Sequence, residues 1–188
     1  KRRLAFSTIG QLSYILLGIG LLAPKAMVGG LVHIAMHAFG KITLFMCAGA
    51  IFVATGKKYI SDMDGIGRRM PITMAAFFLG ALSIIGLPPG GGFVSKWYLL
   101  LGALEADKIG FGVVLLASSL LNTAYFMPIV YRAFFKPPAD GQGGGLREAP
   151  IQCVAPLALT ALGSVALLFY PQPFLQLAEQ VVARLLGG

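Results

Sequence analysis

Three side chains that can take up and release protons recur at every fourth position of an otherwise apolar stretch. They are His33, His37 and Lys41. On a helix of 3.6 residues per turn this spacing advances only about 40° per step, so the three would form one polar stripe about 12 Å long. Neighbours at this distance can pass protons through single water molecules, and histidine titrates near neutral pH. The stripe therefore predicts a proton pathway; the alternative, a histidine that only hydrogen-bonds a neighbouring helix, is commoner for a single buried histidine.

A second candidate site is a helix-breaking run inside another apolar stretch. It consists of Pro88, Pro89, Gly90, Gly91 and Gly92. Prolines cannot continue a helix and glycines favour one only weakly, so the chain should unwind there. Unwound backbone at membrane depth tends to mark ion or substrate sites. Lys96 follows four residues later, near the positive end of the resumed helix, which disfavours its charge. We expect Lys96 to load or release protons.

The composition explains why ionisable groups in these stretches are informative. The chain has 188 residues, of which 57% are hydrophobic and 12% are charged, whereas a soluble domain has about 25% charged residues. These values indicate a chain solvated by lipid and exclude collagen-like, disordered and disulfide-rich classes. Cys47 and Cys153 stand alone in apolar runs without metal-ligand spacing. No nucleotide, flavin or hydrolase motif occurs in a suitable context, so the sequence predicts no catalytic centre, metal or cofactor.

Five apolar stretches are long enough to cross a bilayer, which requires roughly 20 residues. They are residues 4–22, 26–55, 71–104, 109–135 and 151–170. The sequence therefore predicts an all-α membrane protein with about five transmembrane helices in a bundle over residues 1–170. The third helix, 71–104, would be discontinuous at Pro88–Gly92, because neither half alone is a comfortable crossing. Residues 171–188 set apolar side chains apart from polar ones on a helix and predict an amphipathic interfacial or packing helix.

The net charge of +8 orients these crossings. Because successive loops alternate sides, ten basic residues would share one side, while three would lie on the other. The ten are Lys1, Arg2, Arg3, Lys57, Lys58, Arg68, Arg69, Arg132, Lys136 and Arg147, and the three are Lys25, Lys108 and Arg184. This asymmetry predicts a cytoplasmic N-terminus and an external C-terminus. It also removes the reason to expect a nucleic-acid partner.

Two basic residues, Lys41 and Lys96, remain inside predicted spans, where a lysine costs about 2.5 to 3.5 kcal/mol on insertion scales. They are therefore functional candidates by default. Other polar residues of the spans could line a hydrated path, although such residues more often hold helices together. They are Ser7, Thr8, Gln11, Ser13, Tyr14, Ser83, Ser95, Ser118, Ser119, Asn122, Thr123 and Tyr125.

Three segments, taken in order, resemble a known family. They read KRRLAFSTIGQLSYILLG, HIAMHAFGKITLFMCAGAI and LSIIGLPPGGGFVSKWYLL. Together they look like the C-terminal half of the proton-pumping antiporter-like subunits. This family includes Mrp-type cation/proton antiporter subunits and the large membrane subunits of complex I (NADH:quinone oxidoreductase) and of membrane-bound hydrogenases. The KWYL continuation most resembles the D-type member of the Mrp antiporters.

The resemblance implies a role for each candidate residue. Members have about fourteen spans, of which these five would be the last. Lys41 would connect a buried water-filled axis, Lys96 would handle proton exit to the outside, and His33 and His37 would be relay partners. Some members carry glutamate in place of Lys96, and a base that is anionic when unloaded differs electrostatically from one that is neutral. The family's other essential elements, a glutamate–lysine pair and a first broken helix, would precede this chain, so these residues alone should be unable to pump.

The implied function is proton translocation within a multisubunit cation/proton antiporter of the cell (inner) membrane. Its partners would be other membrane subunits, the lipid bilayer, protons and Na⁺ or K⁺. The alternative is a proton-pumping subunit of complex I or of a hydrogenase, in which case the chain would belong to a translocating NADH:quinone oxidoreductase. A haem-binding subunit is a remote alternative, because both histidines lie on one helix whereas bis-histidine ligation generally uses opposite helices. A purely structural membrane anchor is another alternative. The buried lysines argue against it, because such an anchor would bear their insertion cost without any benefit.

Overall fold

The fold is built from helices, and a computed structural model describes residues 2–137 and 145–187. The described residues contain no strand. They form eight α-helices: α1 (Arg2–Gly20), α2 (Pro24–Thr55), α3 (Ile66–Arg69), α4 (Pro71–Ile85), α5 (Gly92–Glu105), α6 (Ile109–Phe135), α7 (Ile151–Phe169) and α8 (Gln172–Leu186). A 3₁₀ turn, Ile60–Met63, precedes α3. The predicted all-α class is confirmed.

Three of these helices, α2, α6 and α7, are long and apolar enough to cross a membrane. The helix α4 is apolar but has only 15 residues. The expected count of five crossings therefore remains a prediction. The expected tail helix is present as α8, and its Leu175, Ala178 and Val182 are buried against residues of α2.

The central element of the bundle is α2, which has 32 residues and contacts α1, α4, α5, α7 and α8. Met36, Leu44 and Ile51 of α2 are almost completely buried, as are Phe126 of α6 and Leu157 of α7. Because so many helices share α2, side chains on its different faces can meet partners from nearly every other part of the chain.

Glycines allow α1 and α5 to approach α2 closely. A Cβ atom added at Gly29 of α2 would lie 2.7 Å from the backbone nitrogen of Leu99 in α5, and one added at Gly18 of α1 would lie 2.6 Å from the carbonyl oxygen of Ala26. Gly102 of α5 faces Ala26 in the same way. Small residues let membrane helices pack backbone to backbone. This packing brings the polar residues of α1, α2 and α5 within hydrogen-bonding distance.

The interruption between α4 and α5 begins earlier than the sequence predicted. The prediction placed the unwound segment at Pro88–Gly92, whereas α4 ends at Ile85 and Gly92 already belongs to α5. Gly86 adopts a left-handed conformation (φ 88°) and donates its N–H to the carbonyl of Leu82, which closes the helix. The helix stops before the prolines because a residue that precedes a proline disfavours the helical conformation.

The interrupted segment is held by its neighbours. The N–H of Gly91 donates to the carbonyl of Ser164 in α7 (2.9 Å), and the N–H of Gly92 donates to the hydroxyl of Ser83 in α4 (3.2 Å). These bonds satisfy amides that begin α5 and would otherwise be buried without partners. The break is therefore a built feature with its own hydrogen bonds.

The polar segment 56–69, expected as a loop, contains the 3₁₀ turn and α3 and docks on the end of α6. The N–H of Gly65 donates to the carbonyl of Arg132 (3.0 Å), and the Arg132 guanidinium donates to the Asp64 carboxylate (2.7 Å). The Arg132 hydrogen bond lowers the pKa of Asp64 below its usual value. Four-residue helices in polar sequence lack a periodic signal, which is why α3 was not predicted.

The loop expected between α6 and α7 is described only at its two ends. Most of its glycine cluster and Asp140 lie outside the described residues, as do Lys1 and Gly188. Its second end returns to α4: the Glu148 carboxylate accepts hydrogen bonds from the N–H of Ile72 (2.6 Å) and from the hydroxyl of Thr73 (2.6 Å). A carboxylate at this position satisfies free N–H groups and complements the positive helix end.

The close helix contacts yield a stability prediction. In the full-length protein, Gly29→Leu should lower the free energy of unfolding by about 1 to 3 kcal/mol or more, because the side chain would overlap the backbone of α5. Gly49→Leu is the matched control, since it lies on the same helix and its Cβ would meet nothing within 4 Å. Its effect should stay within about 0.5 kcal/mol. Unfolding in mixed detergent micelles measures both, and equal losses would contradict the proposed packing.

Candidate functional site

The structure places the three predicted α2 residues in one buried stripe. His33 and Lys41 expose 1% and 6% of their surface, and His37 is partly buried. The rings of His33 and His37 stack with centroids 5.9 Å apart. Lys96, with 6% exposure, belongs to α5 and lies in its second turn. The fold thus gathers all four candidates inside the bundle, on two helices that pack against each other.

His33 connects α2 to both neighbouring helices. Its Nδ1 is hydrogen-bonded to the Ser95 hydroxyl of α5 (2.8 Å), and its Nε2 is hydrogen-bonded to the Gln11 side-chain oxygen of α1 (3.2 Å). Because both ring nitrogens are engaged, neither is available as an iron ligand, which argues against the haem alternative. Within the described part of the chain, the buried Nε2 of His37 has no hydrogen-bond partner.

Lys41 is bound by neutral groups of α1. Its ammonium donates to the Ser7 hydroxyl (3.0 Å) and to the carbonyl of Leu4 (3.3 Å). Among the described residues, no carboxylate lies within 4.0 Å of it. A buried ammonium without a counter-ion is costly, because neighbouring dipoles replace only part of its lost hydration. The charged form of Lys41 therefore has little advantage over the neutral form.

Lys96 is bound by the free end of α4. Its ammonium donates to the carbonyls of Ile84 (3.0 Å) and Ile85 (2.8 Å) and to the hydroxyl of Ser119 in α6 (3.0 Å), and it lies 4.7 Å from the centre of the Tyr14 ring. The last carbonyls of a helix lack intrahelical partners and carry its negative dipole end. The sequence pattern indicated only one helix end near Lys96, the positive end of α5. The negative end of α4 opposes it and attracts the ammonium.

A second hydrogen-bonded series, which we call the hydroxyl branch, leaves Lys41 in another direction. Its members are Ser7, Tyr125, Asn122, Tyr14 and Ser118. The Tyr125 and Ser7 hydroxyls are 2.8 Å apart, and Tyr125 donates to the side-chain oxygen of Asn122. The Asn122 side-chain nitrogen donates to the Tyr14 hydroxyl (3.3 Å), which is 2.5 Å from that of Ser118.

In the sequence these residues stand out as polar positions of apolar spans, but no sequence pattern pairs them with one another. They come from α1 and α6, whose paired positions are separated by more than 100 residues, so no periodic pattern links them. The available signal was the presence of isolated polar residues in two apolar spans. That signal is weak, because such residues usually serve helix packing.

Two cavities reach this network. One of about 570 Å³ lies between α1 and α6, and its polar lining consists of Arg3, Ser7, Ser118, Asn122 and Tyr125. The other, of about 620 Å³, lies between α5 and α6 and is lined by Lys96 and Ser119 among apolar side chains. Both are large enough to hold several water molecules. Lys96 lines one of these cavities, and Ser7, the partner of Lys41, lines the other.

Comparisons with known proteins agree with this architecture. Residues 1–122 match the family model described as "NADH:quinone oxidoreductase/Mrp antiporter, TM". The chain is 40% identical over 177 residues to NADH-quinone oxidoreductase subunit N of Desulforudis audaxviator, covering 88% of this chain and 35% of that protein. It is also 28% identical over 187 residues to F(420)H(2) dehydrogenase subunit N of Methanosarcina mazei, covering 95% of this chain and 38% of that one.

A solved structure is similar over nearly the entire fold. A chain of the Mrp complex from Dietzia sp. DQ12-45-1b superimposes with a TM-score of 0.85 at 26% identity, over 96% of this chain and 41% of that one. The present chain therefore spans well under half the length of the relatives it matches. Together with the apolar helices, these likenesses make it part of a multi-pass membrane protein.

The Lys96 site yields a prediction through Gly86, whose Cβ would lie 2.5 Å from the Lys96 side chain. Gly86→Ala should cost about 1 to 2 kcal/mol for its left-handed backbone, and about 1 kcal/mol or more beyond that for crowding the lysine. Gly56→Ala is the matched control, because Gly56 also ends a helix with positive φ but faces open space. The two free energies of unfolding are compared in the full-length protein. If they were equal, Lys96 would not be held against the α4 terminus.

Proposed function

This chain belongs to the NADH:quinone oxidoreductase/Mrp antiporter transmembrane family, and we propose that it carries part of a proton path across the membrane. One observation carries the proposal: three buried ionisable groups each have a serine hydroxyl as partner. Lys41 has Ser7, His33 has Ser95 and Lys96 has Ser119. A hydroxyl can donate or accept, so each group keeps its hydrogen bond whether or not it carries the extra proton.

Lys96 illustrates this reversibility. As an ammonium it donates to both α4 carbonyls and to Ser119. As a neutral amine it has two N–H donors and one lone pair, so it can keep both carbonyls and accept a hydrogen bond from the Ser119 hydroxyl. A lysine retained only for structure would need no partner that reverses its role. The site therefore suits a group that changes protonation state.

The proposed route, which we call the histidine branch, runs from Lys41 through His37, His33 and Ser95 to Lys96. A proton leaves the Lys41 ammonium and forms an N–H bond on His37. It then reaches Nε2 of the adjacent His33 through a bridging water molecule that takes the place of the Gln11 side-chain oxygen; the two rings stand 5.9 Å apart. His33 then gives its Nδ1 proton to the Ser95 oxygen as the Ser95 hydroxyl releases its own, which water would carry to the neutral amine of Lys96. The cavity between α5 and α6 would supply the exit.

In the proposed membrane arrangement, α4 and α5 together make one crossing. They have 15 and 14 residues, or about 22 and 21 Å at 1.5 Å per residue, and the hydrocarbon core is about 30 Å thick. With α1 also crossing, the chain would span the membrane five times. The asymmetry of basic residues supports a cytoplasmic N-terminus and an external C-terminus.

We propose that other membrane subunits, and the preceding part of a longer subunit, complete the path. Likeness to the Mrp complex supports a cation/proton antiporter, in which Na⁺ or K⁺ would move against protons. Identity to subunit N of an NADH-quinone oxidoreductase supports a redox-driven complex as the second setting. The proton path through this chain would be shared by both, because neither setting requires a redox centre in these residues.

The proposal predicts that Lys41→Arg and Lys96→Arg each reduce proton translocation by about a hundredfold or more, as expected for loss of an acid–base group. Arginine keeps the positive charge but does not release its proton in proteins. Translocation is measured by dye quenching in inverted vesicles that contain the assembled complex. The complex is driven either by a Na⁺ or K⁺ gradient or by NADH oxidation, and the driving force that works distinguishes the two settings.

Lys25→Arg is the matched control, because Lys25 lies on the same helix as Lys41 but is exposed. It should translocate at the native rate. Co-purification of each variant with its partner subunits separates loss of transport from loss of assembly. Native rates in assembled Lys41→Arg and Lys96→Arg complexes would exclude both lysines as proton carriers.

A further inference from the structure

A cavity of about 540 Å³ lies at the end of α2, where the apolar helix is followed by the polar segment 56–69. Its positively charged lining consists of Arg3 at the start of α1 and of Lys57 and Lys58 just after α2. We call this space the basic cavity. None of the described residues that line it is acidic. Three clustered positive charges attract anions, which the proposed proton path does not use.

The acidic side chains nearest to these lysines in sequence are engaged elsewhere. The Asp62 carboxylate accepts a hydrogen bond from the Ser61 hydroxyl (2.9 Å), and the Asp64 carboxylate accepts one from the Arg132 guanidinium (2.7 Å). Neither carboxylate lines the basic cavity. The polar segment therefore places basic side chains at the cavity and acidic side chains outside it.

Two of the three cations are positioned by neighbouring groups. One guanidinium nitrogen of Arg3 donates to the carbonyl of Tyr125 in α6 (2.9 Å). Because a guanidinium has five N–H donors, this bond leaves others for an anion. The Lys58 ammonium lies 5.5 Å from the centre of the Phe52 ring, and Phe52 also lines the cavity. A phosphate group suits such a set, since it accepts several hydrogen bonds from arginine and lysine at once.

The basic cavity continues into an apolar surface on α2. Phe52 belongs both to the cavity lining and to a row of exposed apolar residues, which we call the outer stripe. Steps of three and four residues keep its members on one face of the helix. From its first to its last residue the stripe is about 17 Å long, and half of the hydrocarbon core is about 15 Å thick. The outer stripe consists of Ile42, Phe45, Met46, Phe52 and Val53.

The cations and the outer stripe together indicate the class of ligand. Inorganic phosphate or an acidic peptide would use the cations alone, and an uncharged lipid would use the stripe alone. An anionic phospholipid joins a phosphate group to apolar chains of about the length of the stripe. Tyr59, which also lines the cavity and is 71% exposed, is a residue type enriched at membrane–water interfaces. The cavity therefore lies where headgroups are expected.

We propose that the basic cavity binds the headgroup of an anionic phospholipid, whose acyl chains lie along the outer stripe. Arg3, Lys57 and Lys58 donate to the phosphate oxygens. Because Arg3 belongs to α1 and the lysines follow α2, one phosphate group connects the start of the first helix to the end of the second. This site goes beyond the proposed function and does not depend on it, since it requires only that the chain lie in a membrane.

The test uses the full-length protein in its assembled complex, delipidated in detergent and titrated with phosphatidylglycerol or with phosphatidylcholine of the same acyl chains. Native mass spectrometry counts the lipids that this subunit retains after its release from the complex. The native subunit should bind its first phosphatidylglycerol at least about tenfold more tightly than phosphatidylcholine, because clustered basic residues attract anionic lipids. Lys57→Gln combined with Lys58→Gln should weaken phosphatidylglycerol binding by about tenfold or more.

Arg68→Gln combined with Arg147→Gln is the matched control. It removes two exposed positive charges that are predicted to lie on the same side of the membrane but do not line the cavity. This control should keep the native preference. Ala48→Phe adds a ring to the cavity lining without changing the charge, and it should weaken phosphatidylglycerol binding as the lysine variant does. Co-purification with partner subunits establishes assembly of each variant.

Four results would overturn the proposal. Equal losses in the two double variants would mean that phosphatidylglycerol responds to surface charge in general. No preference in the native subunit would mean that other parts of the complex fill the cavity. Displacement of phosphatidylglycerol by equimolar inorganic phosphate would mean that the acyl chains contribute nothing. Native binding in an assembled Ala48→Phe complex would exclude the cavity as the site; if that variant does not assemble, the comparison of the two double variants decides alone.

Discussion

Two lysine ammonium groups lie inside an apolar bundle without a carboxylate partner among the described residues, and much of the architecture supplies their acceptors. The Lys96 ammonium donates hydrogen bonds to two carbonyls at the end of α4. Those carbonyls are free because α4 stops at Ile85 instead of continuing into α5. In a continued helix their donors would be the N–H groups of residues 88 and 89, but both are prolines and have none, so these carbonyls stay free for the lysine. The break and the buried charge therefore depend on each other.

The same dependence links the glycine contacts to the polar network. Hydrogen bonds span roughly 3 Å, so Ser95 can reach His33 only if the backbones of α2 and α5 nearly touch. Gly29 and Gly102 permit that approach where any side chain would separate the helices. On α2 and α5, the glycines thus determine how closely the helices pack, while His33 and Ser95 form the polar contact between them.

Prediction from sequence succeeded where the determinants are local. His33, His37 and Lys41 could be placed on one face because a single helix periodicity relates them. The segment between α4 and α5 contains the prolines and glycines that predicted an interruption, but its start was not predicted, since the left-handed turn at Gly86 lies ahead of Pro88. That the two helices make one discontinuous crossing stays a prediction. The hydroxyl branch could not be predicted, because it joins residues of different helices more than 100 positions apart. The carbonyl acceptors of Lys96 lie only 11 and 12 residues before it, but their position depends on how α4 and α5 pack against each other. The short helix α3 also escaped prediction, because its docking on α6 is a tertiary interaction.

The partners of the two lysines differ in one respect that bears on direction. Lys96 is held by two backbone carbonyls, which cannot turn away, and by one hydroxyl that can. Lys41 has a single carbonyl and a hydroxyl that is shared with Tyr125. Fixed dipoles aimed at a charge stabilise it without reorganisation, whereas a shared hydroxyl must be divided between two groups. In the proposed route a proton would therefore meet the more strongly organised acceptor set at Lys96, and the end of α4 provides that set.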